Sequence, residues 1–162
     1  MPPQTPYTAD LAGRDPIEAI GDCLARIAAM TANWTPAEFE RSYAPGKWRA
    51  RQILTHLAQS ELAFGMRARM ALTVPNYAAQ SFDQDLWMAR ESELDGRAAT
   101  NAYLAAGRMT LALFERLSDA DRQTPLTHPD YGTLVVDWII HQTAGHQIHH
   151  LKQLEQINRS GH

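Results

Sequence analysis

Cysteine is almost missing: Cys23 is the single one in 162 residues, so no disulfide can close within the chain. That usage fits a reducing compartment. Basic clusters are missing too. The 15 lysines and arginines are scattered among 18 acidic residues, and a net charge of −3 leaves no electrostatic footprint for nucleic acid. No stretch approaches the roughly 20 apolar residues of a membrane span, and MPPQTPYTAD at the start lacks the basic flank and apolar segment of a secretory leader. These absences predict a protein of a bacterial-type cytoplasm with neither membrane nor nucleic acid as partner. Asn33-Trp34-Thr35 and Asn158-Arg159-Ser160 match the glycosylation tripeptide only by chance in such a setting. Runs of alternating strand residues are lacking, as are the GxSxG elbow, the GxGxxG fingerprint and the phosphate-binding GxxxxGK[ST] loop.

What is present reads as helix, in one domain spanning 1–162. Asp15-Pro16 supplies a cap and a first-turn proline for a helix running to about Met30. Thr35-Pro36-Ala37-Glu38 is a capping box that opens a short extra helix. After the turn Tyr43-Ala44-Pro45-Gly46, a second long helix spans about Trp48 to Thr73, where Val74-Pro75-Asn76 stops it. Residues 76–83 form a loop, and Asp83 caps a third long helix over roughly 84–117 that Asp95-Gly96 can break. Past a loop at His128-Pro129-Asp130-Tyr131-Gly132, Thr133 caps a last helix reaching about Asn158. Four long helices joined by modest loops predict an all-α fold, a four-helix bundle with a short helix between its first two long ones.

Four of the seven histidines crowd into HQTAGHQIHH at 141–150. Residues on a helix turn by about 100° each. With His146 at zero, His150 falls near +40°, and Val135, Ile139 and Ile157 lie within about 20° of zero, so both histidines share the apolar stripe. His149 sits at its edge, and His141 falls on the far side, where it is expected to be solvated. Two imidazoles four residues apart can converge on one ion above a single helical turn. A third ligand would come from elsewhere, and His56 in ARQILTHLAQSEL, beside the inner face of its own helix, fits best. Spacing alone leaves two readings open: a three-histidine metal site with a free coordination position, or core histidines satisfied by hydrogen bonds.

Tyr43-Ala44-Pro45-Gly46-Lys47-Trp48 followed by ArgGlnIleLeuThrHisLeuAla at 51–58, the segment Ser81-Phe82-Asp83-Gln84-Asp85-Leu86-Trp87, and the 141–151 helix after Tyr131-Gly132 resemble, in that order, the DinB-like (YfiT-type) superfamily. The resemblance implies a four-helix bundle holding a divalent metal, Zn2+ or Ni2+, on His56, His146 and His150. It also implies a metal-dependent enzyme of the thiol S-transferase type, joining a low-molecular-weight thiol to a small electrophilic substrate. The alternatives are a metal-dependent hydrolase and a non-catalytic metal- or ligand-binding bundle of the stress response. Peptidase chemistry of the HExxH kind is disfavoured, since Gln147 follows His146 and points off the stripe. Gln142 and Gln153 share the stripe and are either partners for an imidazole or substrate, or polar filler. Asp83, Asp85 and Trp87 either line the mouth or serve capping and packing. Cys23 reads as inert core and His128 as a surface residue. Ile140, Ile148 and Leu151 form a second apolar stripe on the last helix, predicting a homodimer or further packing within the chain.

Overall fold

The computed structural model describes residues 2–160. Ten elements follow in order: α1 (Thr8–Leu11), α2 (Pro16–Thr31), α3 (Pro36–Phe39), α4 (Ala50–Thr73), α5 (Gln84–Glu91), α6 (Gly96–Phe114), α7 (Asp119–Arg122), β1 (Pro125–His128), β2 (Gly132–Val135) and α8 (Val136–Arg159). Their boundaries follow local chemistry. Asp15 accepts from the Ile17 and Glu18 amides at 2.8 and 3.0 Å with Pro16 in the first turn, so α2 starts there. Thr35 and Glu38 form the capping box of α3. The expected third helix is two. Its halves, α5 and α6, part where the Asp95 side chain takes the Ala98 amide at 2.9 Å and starts a fresh helix.

Long α2, α4, α6 and α8 make the bundle, and their cross-contacts fix its direction. Arg26 meets Glu155 and Trp34 meets Asn158, so α2 and α8 run the same way. Leu24 packs on Gly107 and Thr31 binds Arg97, so α6 opposes α2. His56 lies by His150 while Phe64 lies by His146, so α4 opposes α8. The chain therefore runs up, down, down, up. Going round the bundle, each helix touches two neighbours in the cycle α2, α6, α4, α8. The links α2–α4 and α6–α8 cross diagonals, which is why each is long and carries its own short elements.

The structure also holds an antiparallel hairpin, β1 with β2, pairing Pro125 with Val135 and His128 with Gly132. The sequence reads 128–132 as loop, Thr133 as a cap, and Leu134 and Val135 as the first turn of the last helix. Two four-residue strands are too short for an alternating pattern to stand out. Thr133 sits inside β2, and α8 starts only at Val136. Backbone bonds from Thr127 to Tyr77 and Ala79 then tie this hairpin to the chain after α4.

Helix α8 is covered on nearly every side, by α2, α4, α1 and the hairpin, and its residues 139–148 are buried without interruption. This corrects one expectation drawn from a single buried stripe and decides another in favour of packing within the chain. His141 is not solvated: it is buried, with Nδ1 2.9 Å from the Asp137 carbonyl and 3.6 Å from its carboxylate. Ile140, Ile148 and Leu151 are core residues of this same chain, so the homodimer loses the surface it was built on. No helix among the described residues is long and apolar enough to cross a membrane.

Near the site the N-terminal segment is strapped onto α8. Trp138 donates to the Gln4 carbonyl at 2.9 Å, and Lys152 pairs with Asp10 at 2.7 Å. Tyr7 packs so closely that a Cβ on Gly145 would stand 2.6 Å from the Tyr7 carbonyl oxygen. Helix propensity alone would make Gly145→Ala stabilising by about 1 kcal/mol. The clash reverses the sign. We expect a net loss of about 1–3 kcal/mol, a fall in Tm of several degrees by circular dichroism; a higher Tm would contradict the packing of Tyr7 on α8.

Candidate metal centre

Helix α4 places His56 one turn above Ser60 and two above Phe64, all on its buried side. Helix α8 does the same for His146 and His150. Where the two cross, the three ring nitrogens meet. His56 Nε2 lies 2.9 Å from His146 Nε2, and His150 Nε2 lies 3.2 Å from the same atom. All three ligand atoms fall within 4.8 Å of one another. Nitrogens sharing one ion at about 2.0–2.1 Å stand about 2.9–3.4 Å apart at bond angles between 90° and tetrahedral. The two separations from His146 match that range and the third lies within 4.8 Å, so the donor set can close on a divalent cation.

The surroundings keep these rings neutral, which ligation requires. Burial pushes the His56 imidazole down to about 4, with His149 adding to the effect. Burial and the neighbouring His56 take His150 down to about 3, against its hydrogen bond to the Gln153 side-chain oxygen, which raises it. His146 is also held well below its ordinary value, first by burial and then by the other two rings. Aromatic walls enforce that burial: Trp48 lies 5.0 Å from the His56 ring, and Tyr7 and Phe64 lie 5.1 and 5.6 Å from His146.

Gln153 sits 2.8 Å from His150 Nδ1 through its amide oxygen. With Nε2 turned to the cluster, Nδ1 carries the proton and donates to Gln153, which fixes the tautomer and the ring plane. Gln142 does otherwise. Its side-chain oxygen is buried without a partner, and it lines the cavity beside the cluster rather than bonding an imidazole. Asp83 caps α5 through the amides of Asp85 and Leu86, both at 2.9 Å, and Trp87 stacks on Phe82 at 4.8 Å. The cavity wall here is made by their neighbours Ser81, Phe82 and Gln84 instead. Cys23 is buried core, its thiol pushed up to about 12 by burial.

His128, expected at the surface, is buried and lines the same cavity of about 260 Å³. Four further wall residues went unnoticed in the sequence. Tyr7, Tyr131 and Trp138 come from the N-terminal strap, the hairpin turn and the start of α8, and no local pattern reports such long-range neighbours. Arg67 did leave a signal, since eleven residues on from His56 is just over three helical turns.

Gln147 points away from the three rings, as its angle implied. It joins a separate buried network, accepting from the Tyr103 hydroxyl at 3.0 Å and donating to Glu61 at 2.5 Å. Burial lifts the Glu61 carboxyl to about 7, against hydrogen bonds from Gln147 and Thr110 that lower it.

A bundle with three inward imidazoles beside a cavity that opens at one rim defines a class of helical proteins built around a candidate cation site. The DinB superfamily model matches residues 19–154, and the chain belongs to that superfamily. A provisionally named metal-dependent hydrolase from Halalkalibacterium halodurans is 25% identical over 141 residues, 86% of this chain and 82% of the relative. YfiT of Bacillus subtilis, provisionally named in the same way, is 24% identical over 147 residues, 88% of this chain and 82% of its own. The solved structure of YfiT, described as a four-helix bundle of unusual topology, aligns with a TM-score of 0.79 at 21% identity, covering 90% of this chain and 85% of that one.

Proton linkage provides a test on the metal-free protein. Unfolded imidazoles take protons near 6.5, whereas folded His56 and His150 resist them to about 4 and 3. Between these values the unfolded state binds more protons, so stability falls as pH drops, by up to about 1.4 kcal/mol per unit for each such ring. Glu61 acts oppositely, because its raised value of about 7 makes the folded state the better proton binder above its ordinary 4.5. Urea midpoints of chelator-treated protein should fall from pH 6.5 to 4, and more steeply in Glu61→Gln. A midpoint that is flat with pH would show the rings are not held neutral.

Proposed function

We propose that this protein is a metal-dependent enzyme of the thiol S-transferase type, acting on a small electrophile in the cavity beside His56, His146 and His150. The observation that carries the reading is the meeting of three neutral, buried Nε2 atoms, with His56 and His146 lining a cavity of about 260 Å³. When bound there, a divalent cation such as Zn2+ or Ni2+ supplies Lewis acidity, favouring the thiolate form of a thiol or activating water.

The chain's own part is positional. The three uncharged imidazoles would hold the ion without offsetting its positive charge, a setting that favours an anionic nucleophile. Gln153 keeps His150 facing inward. Phe64, Tyr7 and Trp48 pack against the rings and hold them in place. Among the described residues the cavity wall carries one carboxylate, Asp130, whose side chain is 62% exposed at the rim. Hydrolysis usually draws on a general base beside the water, whereas a thiol needs only deprotonation and a place to bind. That comparison favours the thiol. Metal-dependent hydrolysis is the second reading, supported by the provisional names of the relatives.

Elemental analysis should find about one divalent ion per purified chain, largely lost in His56→Ala and His150→Ala, with Gln153→Ala weakening affinity about 10–100-fold. Metal-loaded protein should then conjugate a thiol to monochlorobimane and lose this activity in EDTA. Ester hydrolysis without thiol transfer would select the second reading. Full metal retention in both histidine variants would falsify the ligand set.

A further inference from the structure

Following the buried face of α4 away from His56, the wall of the cavity changes from ligand to hydroxyl, to aromatic, to cation: His56, Ser60, Phe64, Arg67. This spans about 16 Å of helix axis. Arg67 is only 8% exposed. Its guanidinium gives one hydrogen bond to the Gln80 carbonyl at 2.6 Å and lies 5.8 Å from the ring centres of both Phe64 and Phe82. Among the described residues, no carboxylate stands within ion-pair distance of it. A buried guanidinium with five N–H donors, two aromatic walls and no paired anion is costly unless something charged completes it.

A second donor faces the same space from the hairpin. The Asp130 amide donates to His128 Nδ1 at 3.2 Å, so the neutral ring carries its proton on Nε2. That Nε2 is buried and has no partner. The Ser60 hydroxyl and the Gln142 side-chain oxygen, also on the cavity wall, are buried and unpartnered as well. Four residues on three elements, α4, β1 and α8, thus leave polar groups unspent around one space. Native interiors seldom tolerate this without a ligand or water to satisfy them.

We infer that this end of the cavity is a carboxylate-recognition pocket, in which Arg67 and the His128 Nε2–H grip an acidic group of the substrate while Phe64 and Phe82 flank its apolar part. The pocket rests on the proposed function only in placing the reacting end of that substrate at the three imidazoles. Arg67 offers two parallel N–H groups to a carboxylate, and the His128 donor adds a direction that a neutral amide could not exploit equally. Asp130, with its carboxylate held by Ser81 at the rim, disfavours ligands with several negative charges. The substrate class is a small organic acid bearing one carboxylate, with an electrophilic centre at its other end.

The test is titration of benzoate, benzamide and inorganic phosphate into the purified protein, followed by ligand-observed NMR, with and without one equivalent of Zn2+. Benzoate should bind in both conditions, benzamide at least tenfold more weakly, and phosphate should not displace benzoate at equal concentration. Arg67→Met should weaken benzoate at least tenfold, and His128→Phe several-fold, with circular dichroism confirming the fold. Should Arg67→Met fail to fold, Arg67→Lys keeps the charge without the paired donors and should lose several-fold. Benzoate binding that is absent, or unchanged in the arginine and histidine variants, overturns the pocket, and tighter phosphate binding overturns the carboxylate assignment. His56→Ala separates the two readings: Arg67-dependent benzoate binding in a variant that has lost its metal supports the pocket independently of the metal chemistry.

Discussion

Everything at this site depends on three imidazole nitrogens being forced together in a nearly fully buried cluster. Taken alone, the arrangement is unfavourable. Each buried ring has given up solvent, and each neighbour makes protonation of the others harder, as the depressed values of His56 and His150 show. A cation turns that cost into affinity, because rings that cannot hold a proton have their lone pairs free at neutral pH. The bundle's task is to impose this geometry, and it does so by crossing α4 against α8 with Phe64, Tyr7 and Trp48 packed around the crossing.

The unusual direction of the helices serves the same end. In an up, down, down, up bundle the links run along diagonals and must be long. One link returns as the hairpin that carries His128, Asp130 and Tyr131 to the cavity; the chain between α4 and α5 brings Ser81 and Phe82. The segment before α2 adds Tyr7, fixed by its packing on Gly145. Helices thus supply the rigid ion-facing side, while connections supply the wall that a substrate would meet. A second buried polar network, Tyr103–Gln147–Glu61, ties α6, α8 and α4 together on the other side of α8 without touching the three rings.

How much of this could be read from the sequence follows from the range of each signal. Periodicity places His146 and His150 together and favours His56 as the third ligand, and the resemblance implies the same three; the structure brings all three within reach of one ion. Asp15, Thr35 and Asp83 announced their helix starts because capping is a contact over two or three residues. The same periodic argument misplaced His141, Ile140, Ile148 and Leu151, because it assumes a helix with a wet side and α8 has almost none. His128 was misjudged for a related reason. Its burial comes from α4 and the 77–79 segment, far away in the chain, and a flanking proline says only that the chain turns. Arg67 shares the face of His56, yet a lone arginine on a helix is ordinary until the cavity shows it has no acidic partner.

The most direct test of the central claim is X-ray absorption spectroscopy at the metal edge of protein loaded with one equivalent of Zn2+. The account predicts a first shell containing three imidazole nitrogens at about 2.0–2.1 Å, completed by light-atom donors. A shell dominated by carboxylate oxygen, or one with a single imidazole, would contradict it.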